Sequence, residues 1–80
     1  MNLELIEVKN IKKSQTWQCD GVLLPTEAGQ KWVDMQSQKI VTDVVAGTME
    51  IQRQEEKIPI ELKNNGIGYF NGKSLIILIK

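Results

Sequence analysis

The chain has no histidine and a single cysteine, Cys19. Histidine is the side chain that most often moves protons or binds transition metals near neutral pH, so its absence removes the commonest acid, base and metal ligand at once. One cysteine cannot form an intrachain disulfide. Without histidine beside it, it supplies neither a zinc site nor a Cys–His nucleophile. Cys19 stands between Gln18 and Asp20 with no basic neighbour to stabilise a thiolate, which marks it as a small buried hydrophobe. Charge of either sign is also missing in excess. Ten basic and ten acidic residues cancel, which argues against a strong nonspecific hold on nucleic acid or anionic membrane and against a polyanionic DNA mimic.

Long apolar runs are absent too. The longest has five residues, Leu75–Ile79, far short of the ~20 needed for a membrane-spanning helix. The start, Met1-Asn2-Leu3-Glu4, lacks the basic and apolar regions of a secretory signal. These features predict a cytoplasmic protein in a reducing setting, free-standing and complete as one compact domain over residues 1–80. A domain this small is marginal in core size, which favours help from a partner or a second copy.

What is present is organised around that C-terminal run. Five aliphatic residues are too few for a stable helix, and isoleucine-rich stretches favour strands. Alternation puts Leu75, Ile77 and Ile79 on one face and Ile76 and Leu78 on the other, so both faces need a cover.

From the start, Leu3–Lys9 reads as a first strand, with a bulge suggested because Leu3 and Leu5 are out of step with Ile6 and Val8. Residues 10–15 read as a loop and Trp17–Leu24 as a second strand, interrupted at Asp20-Gly21 and ended by Pro25. Thr26-Glu27-Ala28-Gly29 has the chemistry of a helix start. Ala28, Trp32 and Met35 then share a side, predicting a helix over about 26–38. Ile40–Val45 is β-branched and suits a third strand; a single helix over 26–45 is the rival reading. Met49, Ile51 and Arg53 alternate with polar residues, and after a turn at 54–57 so do Ile58, Ile60 and Leu62, with Pro59 implying an edge. Asn71-Gly72 is a strong hairpin signal between Ile67–Phe70 and the final strand.

The pattern β-β-α-β-β-β-β-β predicts an α+β fold: six to seven short strands in a mostly antiparallel, strongly curled sheet or partial barrel. One helix cannot cover a flat sheet of that size.

Three constellations invite a chemical reading. Asn71-Gly72-Lys73-Ser74 resembles the end of a phosphate-binding loop, but the required earlier glycine is Ile67 and a strand, not a helix, follows. Glu61-Leu62-Lys63, with Asp43 upstream, has the Glu-x-Lys form of metal-dependent nucleases, although Glu7-Val8-Lys9 repeats it as a chance pattern would. Lys12 and Lys13, together with Lys9, Lys31 and Lys39, and with Trp17, Trp32 or Tyr69, offer cations and stacking faces for a single-stranded nucleic acid. Against this, tryptophans in so aromatic-poor a chain belong to the core.

The expectation is therefore a non-enzymatic regulator, inhibitor or accessory protein, of the kind carried by phages and mobile elements. It needs no cofactor or metal and works by protein association, as a homodimer or on a partner. The candidate interface residues are Leu75, Ile76, Ile77, Leu78 and Ile79. A nucleic-acid-binding small barrel using Lys12, Lys13, Trp17, Trp32 and Tyr69 is the alternative, and a metal nuclease ranks third.

Overall fold

The computed structural model describes residues 1–10 and 13–80. It contains nine strands and, among the described residues, no α-helix: β1 (Asn2–Glu7), β2 (Gln15–Gln18), β3 (Gly21–Thr26), β4 (Gly29–Asp34), β5 (Ile40–Val44), β6 (Gly47–Arg53), β7 (Glu56–Leu62), β8 (Gly66–Phe70) and β9 (Ser74–Ile79). They form two open sheets, one of five strands in the order β2-β1-β9-β8-β5 and one of four in the order β4-β3-β6-β7. The inner faces meet in one core. Leu3, Leu5, Leu75, Ile77, Ile79, Phe70 and Val44 come from the five-stranded sheet, and Val22, Leu24, Val33, Met49, Ile51 and Leu62 from the four-stranded one. No polar or charged side chain is buried among the described residues. The fold is an all-β sandwich.

This corrects the α+β expectation and the curled partial barrel. The predicted helix at 26–38 is the β3–β4 hairpin. Thr26 pairs with Gly29, and Pro25 lies opposite Gln30, inside a strand that it does not end. The turn closes because Gly29 takes φ +108, a value open to glycine at little cost. The Thr26 hydroxyl donates to the Gly29 carbonyl at 2.6 Å instead of capping a helix. Thr, Glu, Ala and Gly serve a helix start and a tight turn equally well, and here the antiparallel pairing out to Gly21–Asp34 decides for the turn. Cover for the sheet comes from a second sheet, so neither sheet has to curl into a barrel.

The remaining strands follow their patterns. Residues 40–44 are a strand, paired with β8. The β6–β7 hairpin turns at Gln54-Glu55, and Pro59 sits on the edge strand β7. The β8–β9 connection spans Asn71–Lys73 and pairs Phe70 with Leu75. Its Asn71 side chain accepts the N–H groups of Lys73 (2.9 Å) and Ser74 (2.8 Å). β1 has no bulge; Leu3 and Leu5 alternate cleanly inward. The stretch expected as one interrupted strand splits at Cys19-Asp20, sending β2 to one sheet and β3 to the other. Finally, β9 pairs in parallel with β1, Asn2 to Ser74 through Glu7 to Ile79. The C-terminal strand is thus central, with both of its edges used inside the chain.

Candidate functional site: the outer face of the five-stranded sheet

In β9 the inward residues are Leu75, Ile77 and Ile79, each at most 5% exposed, while Ile76 is half-buried and Leu78 is 42% exposed. Sheet register shows what surrounds the outward pair. Reading from β2 to β5, one row is Thr16, Glu4, Ile76, Tyr69 and Val41; the next, starting at β1, is Ile6, Leu78, Ile67 and Asp43. Val41 is 68%, Ile67 51% and Tyr69 44% exposed, while Ile6, like Ile76, is half-buried. Val8, 54% exposed, extends the patch, since its N–H donates to the Ile79 carbonyl at 2.7 Å and prolongs the β1–β9 pairing. Contiguous apolar surface on a sheet face that no other described residue covers is a mark of an interaction site.

The charges are sparse, and one of them adjoins the centre of the patch, since Glu4 pairs with Ile76. Glu4 interrupts the first row in β1. Asp43 ends the second in β5, where its Oδ2 accepts the Glu27 N–H at 2.8 Å and ties this edge to the β3–β4 turn. The five-residue interface expectation divides accordingly: Leu75, Ile77 and Ile79 belong to the core, and Ile76 and Leu78 to the open face. Ile6, Val8, Val41 and Ile67 join them there. The first two left a signal in the sequence, the misfit of Ile6 and Val8 with Leu3 and Leu5. It marks a strand apolar on both faces.

Among the described residues the nucleic-acid constellation is not brought together at one place. Lys12 lies outside the described residues, and Lys13 is exposed ahead of β2. Trp17 packs against the core from β2, on the inner side because it pairs with Leu3. Tyr69 is on the apolar outer face. Trp32 stands on the outer face of the other sheet, 43% exposed, so it is not a core residue. Its ring lies over Gly21 where a Cβ would be, and its indole N–H donates to Asp34 Oδ2 at 2.8 Å. That bond and the Gln36 N–H hold the Asp34 carboxyl below the usual range. Lys31 and Lys39 do flank Trp32 along a shallow groove of about 410 Å³ beside Val33 and Ile40. It carries two of the expected cations and one aromatic.

The other two constellations dissolve. Glu61 is on the edge strand β7, where it accepts the Thr48 hydroxyl at 2.9 Å, and Asp43 belongs to the other sheet. Among the described residues no three acidic or thiol side chains converge as a metal site would require. Glu7 and Glu61 do border one hollow of about 260 Å³, but Lys9, Lys63 and Lys80 border it too. In the 71–74 turn the Lys73 and Ser74 N–H groups are bonded to Asn71 and are not free to cradle a phosphate. Cys19 is buried, and burial pushes its thiol pKa up, only partly offset by the N-terminal ammonium.

No protein-family model matches the chain, and no curated protein resembles it significantly. No described helix is long and apolar enough to cross a membrane.

Proposed function

We propose that this is a small, non-enzymatic binding protein that acts through protein association at the outer face of the five-stranded sheet. The supporting observation is the patch of Ile6, Val8, Val41, Ile67, Tyr69, Ile76 and Leu78 on a face that no other described part of the chain covers. The unreactive buried thiol and the lack of disulfides suit a reducing, cytoplasmic setting. A nucleic-acid role is the weaker reading, because Trp17, Trp32 and Tyr69 lie on separate surfaces and the net charge is zero.

Leu78→Lys tests the reading. The side chain is outward and partly exposed, so the folded chain tolerates the substitution at a cost within about 1 kcal/mol, while a charge in the middle of the patch opposes any apolar packing there. Tagged wild-type and variant chains, matched for circular dichroism, are compared for self-association and for retention of proteins from the source cell. Association present in the wild type and abolished in the variant is expected. Association that survives Leu78→Lys and Ile67→Lys together would overturn the assignment of the face.

A further inference from the structure

We infer that the occupant of this face is a second copy of the same chain, packed sheet to sheet about a twofold axis running along β9. The inference rests on the proposed association at this face and adds the identity and geometry of the partner.

The patch is centred on β9, the middle strand, with two strands on either side. A twofold axis along β9, lying between two facing sheets, exchanges β1 with β8 and β2 with β5. The rows then oppose one another in a consistent way. Ile76 meets Ile76, Leu78 meets Leu78 and Ile6 meets Ile67. Glu4 meets Tyr69, whose phenolic O–H can donate to the carboxylate, and Thr16 meets Val41. Asp43, at the β5 end of its row, faces the β2 side of the partner and no other carboxylate. The alternative is an in-plane axis that crosses the strands between the two rows. It sets Glu4 on Ile6 and Asp43 on Val41, so that both carboxylates lose water against an aliphatic side chain, a costly arrangement. Charge therefore selects the axis along β9.

The size agrees with a reversible dimer. Five strands at ~4.8 Å spacing, four to six residues long at ~3.3 Å per residue, give a face of roughly 24 by 17 Å. Both copies together bury about 800 Å², in the range of a weak, transient interface. Sheets packed in this aligned way keep their strands within about 30° and lie about 10 Å apart. A concentration-dependent dimer with a Kd of roughly micromolar is expected.

Sedimentation over a concentration series should show the mass rising from one chain to two, and Leu78→Lys should abolish the rise without changing the circular dichroism spectrum. Cysteine placement reads the axis. With a short bifunctional maleimide, Leu78→Cys should cross-link to itself, and Glu4→Cys should cross-link only when mixed with Tyr69→Cys. Wild type, whose Cys19 is buried, should not cross-link. A dimer in which Ile76→Cys links to Leu78→Cys while Leu78→Cys alone does not would overturn the axis. A strict monomer at every concentration would overturn the dimer. If that monomer nevertheless binds a different protein, and Leu78→Lys abolishes the binding, the association function stands and only this inference falls. If it binds nothing, both fall.

Discussion

Gly66→Ala tests the packing of the two strands on which the open face depends. Gly66 begins β8 opposite Ile79 and does not have the positive φ that would demand glycine. Space is what restricts it. A Cβ there would overlap the Leu78 carbonyl oxygen and come within 2.9 Å of the Leu78 carbonyl carbon and of Ile79 Cδ1. A backbone carbonyl cannot swing away as a side-chain end can, so the alanine must push β8 off β9. Overpacking of this kind costs about 1–3 kcal/mol, and a broken or stretched ladder hydrogen bond adds about 1 kcal/mol. The sum, about 2–4 kcal/mol, is a large part of the roughly 4–12 kcal/mol expected for an 80-residue domain. Gly21→Ala is the matched control. Its Cβ also overlaps a neighbour, but that neighbour is the Trp32 ring, which is partly exposed and can turn outward at a cost of about 1 kcal/mol or less. Urea denaturation followed by circular dichroism and tryptophan fluorescence measures both variants. Gly66→Ala should lower the midpoint strongly, and Gly21→Ala should alter the native fluorescence far more than the midpoint. A Gly66→Ala chain within about 0.5 kcal/mol of wild type, the range of an ordinary surface change, would refute this close approach of β8 and β9.

Three further outcomes are expected. Gln54 holds φ +56 in the β6–β7 turn with its N–H bonded to Asp20 Oδ2 at 2.6 Å; Gln54→Gly should raise stability by about 1 kcal/mol and Asp20→Ala lower it by about 1 kcal/mol, both read by urea titration. Burial raises the Cys19 thiol pKa in the folded chain, so the unfolded chain ionises first as pH rises; stability should be steady below the ordinary thiol pKa and fall above it, with the fall absent in Cys19→Ala. The Asp34 carboxylate is held low, chiefly by the Trp32 indole, so the stability it adds is present above the ordinary carboxylate pKa and is lost as pH falls through the depressed one. Trp32 fluorescence should titrate there in wild type and not in Asp34→Ala.

Much of the sandwich was legible because side chains alternate along strands. Met49 and Ile51 and then Ile58, Ile60 and Leu62 point inward as their spacing required, and Asn71-Gly72 makes its hairpin; in the last strand, apolar on both faces, alternation gave two sets and the fold turns Leu75, Ile77 and Ile79 inward. The β4 segment was not legible, since a six-residue edge strand with one buried apolar residue, Val33, has almost no period to read. Thr26–Gly29 before it suits a helix as well as a turn. The parallel pairing of β1 with β9 joins the two ends of the chain and has no local signature at all. Yet it makes β9 central and uses both of its edges within the chain, while the four-stranded sheet, packed on Leu75, Ile77 and Ile79, decides which of its faces is open. The candidate site was half visible. Ile76 and Leu78 stood out as the second apolar face of a short strand, whereas Ile67, Tyr69 and Val41 become their neighbours only through register.

The contrast between the edges and the open face of the sandwich bears on the proposed association. Unpaired strand edges invite uncontrolled pairing with other chains, and here each edge is blunted. β2 has only four residues, β7 carries Pro59 between charged ends, β4 presents Gln30 and Lys31, and β5 is tied down through Asp43 and through the Val45 N–H bonded to the Pro25 carbonyl at 2.9 Å. Among the described residues nothing protects the outer face of the five-stranded sheet in this way, and it carries seven apolar side chains and few charges. Its exposed members add little to the stability of the isolated chain. The core is made by the inward residues, and the single ion pair among the described residues, Arg53–Glu56 at 3.5 Å, is exposed. A chain that guards its edges and leaves one face apolar is suited to association face to face, through side chains, and poorly suited to strand addition. Substitutions on the face should therefore change association more than folding, whereas removing Pro59 should open a route to edge-to-edge aggregation that the face variants do not show.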